Sequence, residues 1–129
     1  MYNLSAQTVA IGDDINFDTN GVITPGIPHV AGSEEIIVIT PGDYKITFTV
    51  STNEPSQFAL FRNDVLMEGT LYGSGSGAQG NIGQFIVTLA AGDILTIRNN
   101  ISFSDVTLQT MAGGTQTNAN ASVILKKLN

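Results

Sequence analysis

The stretch Glu35–Ser51, E-I-I-V-I-T-P-G-D-Y-K-I-T-F-T-V-S, indicates the fold class of this chain. It opens with Ile36–Ile39, a β-branched run typical of a buried strand. Pro41-Gly42 then provides a turn signal, because proline fixes φ and glycine tolerates positive φ. Apolar and polar residues alternate after the turn, which is the pattern of a strand with one buried face. We therefore predict a hairpin whose second strand buries four side chains: Tyr44, Ile46, Phe48 and Val50.

Length and composition limit the possible classes of protein. The chain has 129 residues, of which 42% are hydrophobic and 12% charged, so we predict one folded domain spanning residues 1–129. Its formal net charge of −6 and its five scattered basic residues argue against nucleic-acid binding, which requires clustered Lys and Arg. It has no cysteine, which excludes disulfides and thiolate chemistry.

Short alternating segments separated by turn residues continue along the whole chain. Asn20-Gly21 is the strongest two-residue hairpin signal, and Arg62–Val65 supplies a second turn because Asn and Asp tolerate left-handed backbone geometry. No window keeps helical apolar spacing for more than a turn. We predict nine or ten short strands arranged as a sandwich or a closed barrel. Pro41-Gly42-Asp43 and Ala91-Gly92-Asp93 resemble each other, and we interpret them as two similar hairpin entries.

The sequence offers little catalytic or metal-binding chemistry. His29 is the only histidine and lies in a Pro-flanked segment, where we expect a solvated loop side chain. Asp13, Asp14 and Asp18 could contribute oxygen ligands to calcium, but their spacing does not fit an EF-hand. The Gly73–Gly83 segment lacks the lysine and the following helix of a phosphate loop, so we expect a flexible surface connection. We predict no enzyme and no cofactor.

Targeting signals are also absent from the sequence. No segment approaches the roughly 20 apolar residues that a membrane span requires. The N-terminus, M-Y-N-L-S-A-Q, lacks the basic and apolar regions of a signal peptide. We expect either a protein that is not exported by that route or a fragment of a longer chain.

Two segments resemble a known family. Thr40–Phe48 resembles the Gly-x-Tyr strand of complement- and tumour-necrosis-factor-like jelly rolls. Val87–Asp93, V-T-L-A-A-G-D, and the ending Ala121–Leu128 are similar to the C-terminal domains of bacillus exosporium collagen-like glycoproteins of the BclA type. The resemblance covers most of the chain from about Glu34 onward, and the first third more loosely.

This resemblance implies an all-β jelly-roll sandwich of two antiparallel sheets, with about ten short strands, that assembles as a homotrimer. In the family, the domain caps a collagen-like stalk on the spore surface and nucleates its triple helix. The resemblance therefore implies a structural protein at the exosporium or another bacterial surface, with other surface-layer proteins or host receptors as further partners. This chain has no Gly-x-y repeat of its own.

The resemblance and the strand alternation together suggest a subunit interface. Side chains that alternate with the core residues on three strands would face outward, and in the family these strands share the sheet that lines the trimer contact. The nine predicted interface residues are Lys45, Thr47, Thr49, Ile94, Thr96, Arg98, Ser122, Ile124 and Lys126. Burying Ile94 or Ile124 there would contribute about 1.5–3 kcal/mol each, although scattered apolar surface residues are also common.

Two other functions stay open at this point. Sandwich folds often present binding loops, so a ligand- or carbohydrate-binding module could use Thr24–Ser33, Gly73–Gly83 and Met111–Asn118. The absence of tryptophan weighs against sugar stacking. An enzyme of the double-stranded β-helix type ranks last, because its metal site generally needs more than one histidine.

Overall fold

The structure is a computed structural model that describes residues 1–129, and its regular elements are eleven strands. It contains no helix long and apolar enough to cross a membrane. The strands are β1 (Tyr2–Asn3), β2 (Thr8–Val9), β3 (Ile36–Ile37), β4 (Gly42–Val50), β5 (Ser56–Arg62), β6 (Val65–Leu66), β7 (Tyr72–Ser74), β8 (Asn81–Leu89), β9 (Ile94–Asn99), β10 (Val106–Thr107) and β11 (Ala121–Lys127).

Two antiparallel sheets form the sandwich. The first sheet has the order β1-β11-β4-β8, and the second has the order β3-β9-β5-β6, with β7 also paired to β5. A small ladder joins β2 and β10. The predicted all-β jelly-roll sandwich is confirmed, since all named pairings are antiparallel.

The core lies between the sheets and follows the predicted alternation. Every second residue of β4 is buried, beginning at Tyr44, and β11 buries Ala121 and Val123. Residues from both sheets join one cluster of 19 buried apolar side chains. Phe48 packs edge-on against Tyr72, with ring centroids 6.0 Å apart. The predicted burial of Tyr44, Ile46, Phe48 and Val50 is confirmed.

The predicted hairpin across Pro41-Gly42 is wrong. β3 pairs with β9 in the second sheet, whereas β4 pairs with β11 and β8 in the first. The segment therefore carries the chain from one sheet to the other. Two adjacent strand patterns with a turn signal between them do not specify whether the strands pair, because pairing depends on distant partners.

The two Gly-Asp segments are crossovers of the same kind. Ala91-Gly92-Asp93 leads from β8 in the first sheet to β9 in the second, so interpreting both segments as hairpin entries is also wrong. Gly92 has a φ of 90°, which suits glycine. Backbone bonds tie the two crossovers together: Gly92 N donates to Val38 O at 2.8 Å, and Val38 N donates to Asp93 O at 2.9 Å.

The other turn predictions had mixed outcomes. The turn at Arg62–Val65 is confirmed, since Asn63 and Asp64 have φ values of 52° and 63° and Arg62 pairs with Val65. No hairpin forms at Asn20-Gly21. Instead, the Asn20 side chain hydrogen-bonds to the backbone and the ring of His29.

The predicted loop Gly73–Gly83 is shorter than expected, because β7 and β8 include its two ends. Gly83 lies within β8 opposite Phe48. A Cβ atom at position 83 would come within 2.2 Å of the Phe48 ring, so this glycine provides space for an aromatic side chain. The segments Thr24–Ser33 and Met111–Asn118 contain no strand, as predicted.

Candidate subunit interface

The first sheet has an outer face that no other part of the chain covers. We call it the open face and define it by the outward side chains of β4, β8 and β11. Thr47 of β4 lies between Gln84 of β8 and Ile124 of β11. Lys45, Thr49, Ser122 and Lys126 also lie on this face, so six of the nine predicted interface residues share one surface.

Three isoleucines make the open face apolar. Ile82, Ile86 and Ile124 are 59%, 65% and 64% exposed. Ile82 is paired with Thr49, Ile86 with Lys45, and Ile124 with Thr47. The charges along β4 and β11 at this face are Asp43, Lys45 and Lys126, which lie together at one end. The middle of the face is thus uncharged, with exposed isoleucines among neutral polar side chains.

An apolar groove borders the open face on its β11 side. Its volume is about 350 Å³, and seven of the eight residues that line it are hydrophobic. Ile124 belongs to both the groove and the open face. Val22, which is 97% exposed, forms part of the opposite wall. The remaining lining residues are Met1, Ile23, Thr24, Ile27, Val123 and Leu125. The open face therefore continues into a concave apolar surface.

The other three predicted interface residues lie elsewhere. Ile94, Thr96 and Arg98 are on β9, which belongs to the second sheet, so the expectation that all three strands share one sheet is wrong. Ile94 is exposed, but Thr96 is buried and its Oγ1 atom has no hydrogen-bond partner. Alternation alone could not separate the two sheets, since outward residues have the same pattern on either one.

Arg98 is engaged within its own chain. Its Nε donates to Asp14 Oδ1 at 2.8 Å, and one Nη donates to Asp64 Oδ1 at 2.8 Å. The guanidinium carbon also lies 4.1 Å from the centroid of the Phe61 ring. The hydrogen bond with Asp14 raises the pKa of Arg98 above its ordinary value. These contacts cover the part of the second sheet's outer face around Phe61, whereas the paired residues Ile37 and Ile94 stay exposed.

The aspartates considered as metal ligands make contacts within the chain instead. Asp14 binds Arg98, whereas Asp18 accepts hydrogen bonds from Leu4, Ser5 and Thr19. The three aspartates considered for calcium are therefore not brought together, and no group of three or more His, Cys, Asp or Glu residues has metal-binding geometry. The bonds to Asp18 outweigh its partial burial and lower its pKa.

The prediction of a solvated His29 is wrong. The ring is buried, with Nδ1 2.6 Å from Asn20 Oδ1 and Nε2 2.8 Å from Ser33 O. It also packs edge-on against Phe17, with ring centroids 6.3 Å apart. Both ring nitrogens are thus used to hold the segment between β2 and β3, which is a structural role.

The sequence prediction missed Ile82 and Ile86. The glycine-rich composition hid the beginning of β8, and the apolar residues Phe85, Val87 and Leu89 on its inner face dominated the pattern. A second alternation, Ile82-Gln84-Ile86-Thr88, runs on the other face of the same strand. A strand with apolar residues on both faces indicates two covered surfaces, and this signal could have been found.

The geometry defines a class: a jelly-roll domain whose first sheet exposes isoleucines on its outer face. A family model described as "BclA C-terminal domain" matches residues 1–129. The chain therefore belongs to this family, the C-terminal domain of BclA-type exosporium collagen-like proteins. A search of curated proteins found no match.

Proposed function

We propose that this domain is a structural head that assembles as a homotrimer through its open face. The observation that carries the proposal is the exposure of Ile82, Ile86 and Ile124 on one sheet surface. Burying each side chain against a neighbour would contribute about 1.5–3 kcal/mol. Family membership supports a structural role for the domain.

A cyclic trimer needs two different surfaces that fit each other, because its contacts are heterologous. The chain offers such a pair at opposite sides of the open face. β8 projects Ile82 and Ile86 from one edge of the first sheet, and the groove beside Ile124 lies near the other edge. We propose that the isoleucines of one subunit enter the groove of the next, with Lys45 and Lys126 at the rim.

Sedimentation equilibrium tests the assembly. We expect a species of three times the 13.6 kDa chain mass at micromolar concentration. Ile124→Asp should yield monomers, because it places a charge on both the open face and the groove. Val65→Asp is the matched control, since Val65 is a similarly exposed strand residue on the second sheet and should leave the trimer intact.

Two outcomes would refute this proposal: a monomeric wild-type protein, or an Ile124→Asp variant that stays trimeric. Far-UV circular dichroism distinguishes dissociation from unfolding, and Ile86→Asp provides a second variant if the first does not fold.

We also propose a location at the spore surface, following the family. Antibodies against the domain should then label intact spores of the producing organism, and unlabelled spores would contradict the location.

A further inference from the structure

A second concave surface lies at the end of the second sheet. It is a cleft of about 300 Å³ between the start of β5, the strand β7 and the loop that follows β9. Of the predicted binding loops, only Gly73–Gly83 contributes to it, through Gly73, Ser74 and Gly75. None of its nine lining residues is charged. The cleft therefore suits a neutral ligand.

The loop after β9 has two unfavourable features side by side. Ile101 has a φ of 52°, a left-handed conformation that is a genuine outlier for a β-branched residue. Phe103, two residues later, is 95% exposed at the edge of the cleft. Strained backbone persists only where the surroundings impose it, and it is concentrated at functional sites. An isolated exposed ring needs no explanation, but a ring on a strained loop beside a cleft does.

Hydrogen bonds to Gln57 fix this loop. Asn100 N donates to Gln57 O at 2.9 Å, and Gln57 N donates to Ser102 Oγ at 2.9 Å. Ser102 is buried and donates in turn to Asn99 Oδ1. Strained Ile101 is thus held between two anchored neighbours, and the backbone that leads into Phe103 is anchored at Ser102. Such preorganisation lowers the entropy cost of binding a ligand.

We propose that this cleft binds a neutral pyranose sugar. The exposed face of Phe103 offers an apolar platform for the C–H groups of a sugar ring. The exposed carboxamide of Gln57, which lies opposite Gly73 on the neighbouring strand, offers both a donor and an acceptor to ring hydroxyls. A few placed polar groups around an apolar contact are the usual composition of a small-ligand site. Aromatic stacking does not require tryptophan, so its absence from the chain does not remove this site.

Saturation-transfer difference NMR on the intact domain tests the proposal. The probes are methyl pyranosides of glucose, galactose, mannose and N-acetylglucosamine, with the open-chain polyol sorbitol as the chemical control. We expect at least one pyranoside to bind with a millimolar dissociation constant, and sorbitol not to bind. Phe103→Ala should weaken that binding at least tenfold, whereas Phe103→Tyr should retain it. Val65→Ala, at an exposed site outside both the cleft and the groove, should leave sugar binding unchanged.

Several results would overturn the proposal: no binding of any pyranoside, equal binding of sorbitol, or full binding by Phe103→Ala. Sedimentation of Phe103→Ala provides a further check. If this variant dissociates a wild-type trimer, Phe103 is a subunit contact and the sugar site is rejected. Because Ile124→Asp tests the trimer without altering the cleft, failure of either proposal can be recognised separately.

Discussion

The outer faces of the two sheets differ in how they are covered. On the second sheet, Arg98 of β9 lies over Phe61 and binds Asp14 and Asp64, which come from two separate loops. On the first sheet, the isoleucines of the open face have no such cover. A β-sandwich needs only its two inner faces for a core, so the outer faces are free to differ. The area around Arg98, which we call the covered face, is protected by contacts within the chain, whereas the isoleucines of the open face are not.

The largest stability effect is expected on the covered face. Arg98→Ala removes both ion pairs and the contact with Phe61, and it leaves the largely buried carboxylate of Asp14 without its partner. We expect a loss of about 2 kcal/mol in the free energy of unfolding, because an unsatisfied charged group retains its desolvation cost. Lys126→Ala on the open face should change it by less than about 0.5 kcal/mol.

Urea unfolding of both variants measures this difference at one fixed protein concentration, since the stability of an assembled protein depends on concentration. Equal losses for the two substitutions would show that the faces are not distinct in the way described.

A second prediction concerns Thr96, which lies beside Arg98 on the covered face. Its buried Oγ1 has no hydrogen-bond partner, so the hydroxyl contributes a desolvation cost without a compensating bond. Thr96→Val keeps the shape and removes this cost, and we expect a stabilisation of about 1 kcal/mol. Thr8→Val on β2 is the control, because its hydroxyl is exposed away from the open face and the change should stay within about 0.5 kcal/mol. A destabilised Thr96→Val variant would indicate that the hydroxyl is bonded in solution.

Strand character was more predictable from the sequence than strand pairing. Alternation correctly identified the buried residues of β4 and β11, because period-2 burial is a local property. It could not show that Pro41-Gly42 leads to the other sheet, or that β9 lies opposite β4, because these facts depend on partners at least 31 residues away. Likewise, His29 is buried by contacts with Asn20 and Ser33 that no composition rule anticipates.

The interface candidates illustrate the same limit. Ile124 was predicted because it is the apolar residue between Ser122 and Lys126 on the outward side of β11, whose inward residues alternate clearly. Ile82 and Ile86 were missed because glycines obscured the start of their strand. The apolar groove could not be predicted at all, since it joins residues from the N-terminal third to the last strand. Sequence alternation therefore locates single outward residues, whereas a continuous surface requires the fold.

The smallest expected effect concerns the charges around the covered face. Burial raises the pKa of Glu34 above its ordinary value, and the nearby carboxylates of Asp14, Glu35 and Asp13 raise it further. The folded state therefore binds the Glu34 proton more tightly than the unfolded state does. The Glu34 carboxylate therefore destabilises the fold at high pH. The free energy of unfolding rises as the pH falls through the folded-state pKa of Glu34, and this rise is complete below the unfolded-state pKa of 4.5.

Glu34→Gln tests this linkage because it removes the charge while keeping the side-chain size. At pH 7 we expect the substitution to increase the free energy of unfolding by only about 0.3 kcal/mol, since Glu34 is exposed and solvent screens its repulsion by the nearby carboxylates. Near pH 4 the gain should vanish, because wild-type Glu34 is then protonated as well. Exposed Glu68→Gln serves as the control for removing one negative charge from a chain of net charge −6. If both variants gain equally at pH 7, the effect comes from overall charge, and the acidic residues beside Arg98 do not act as a local group.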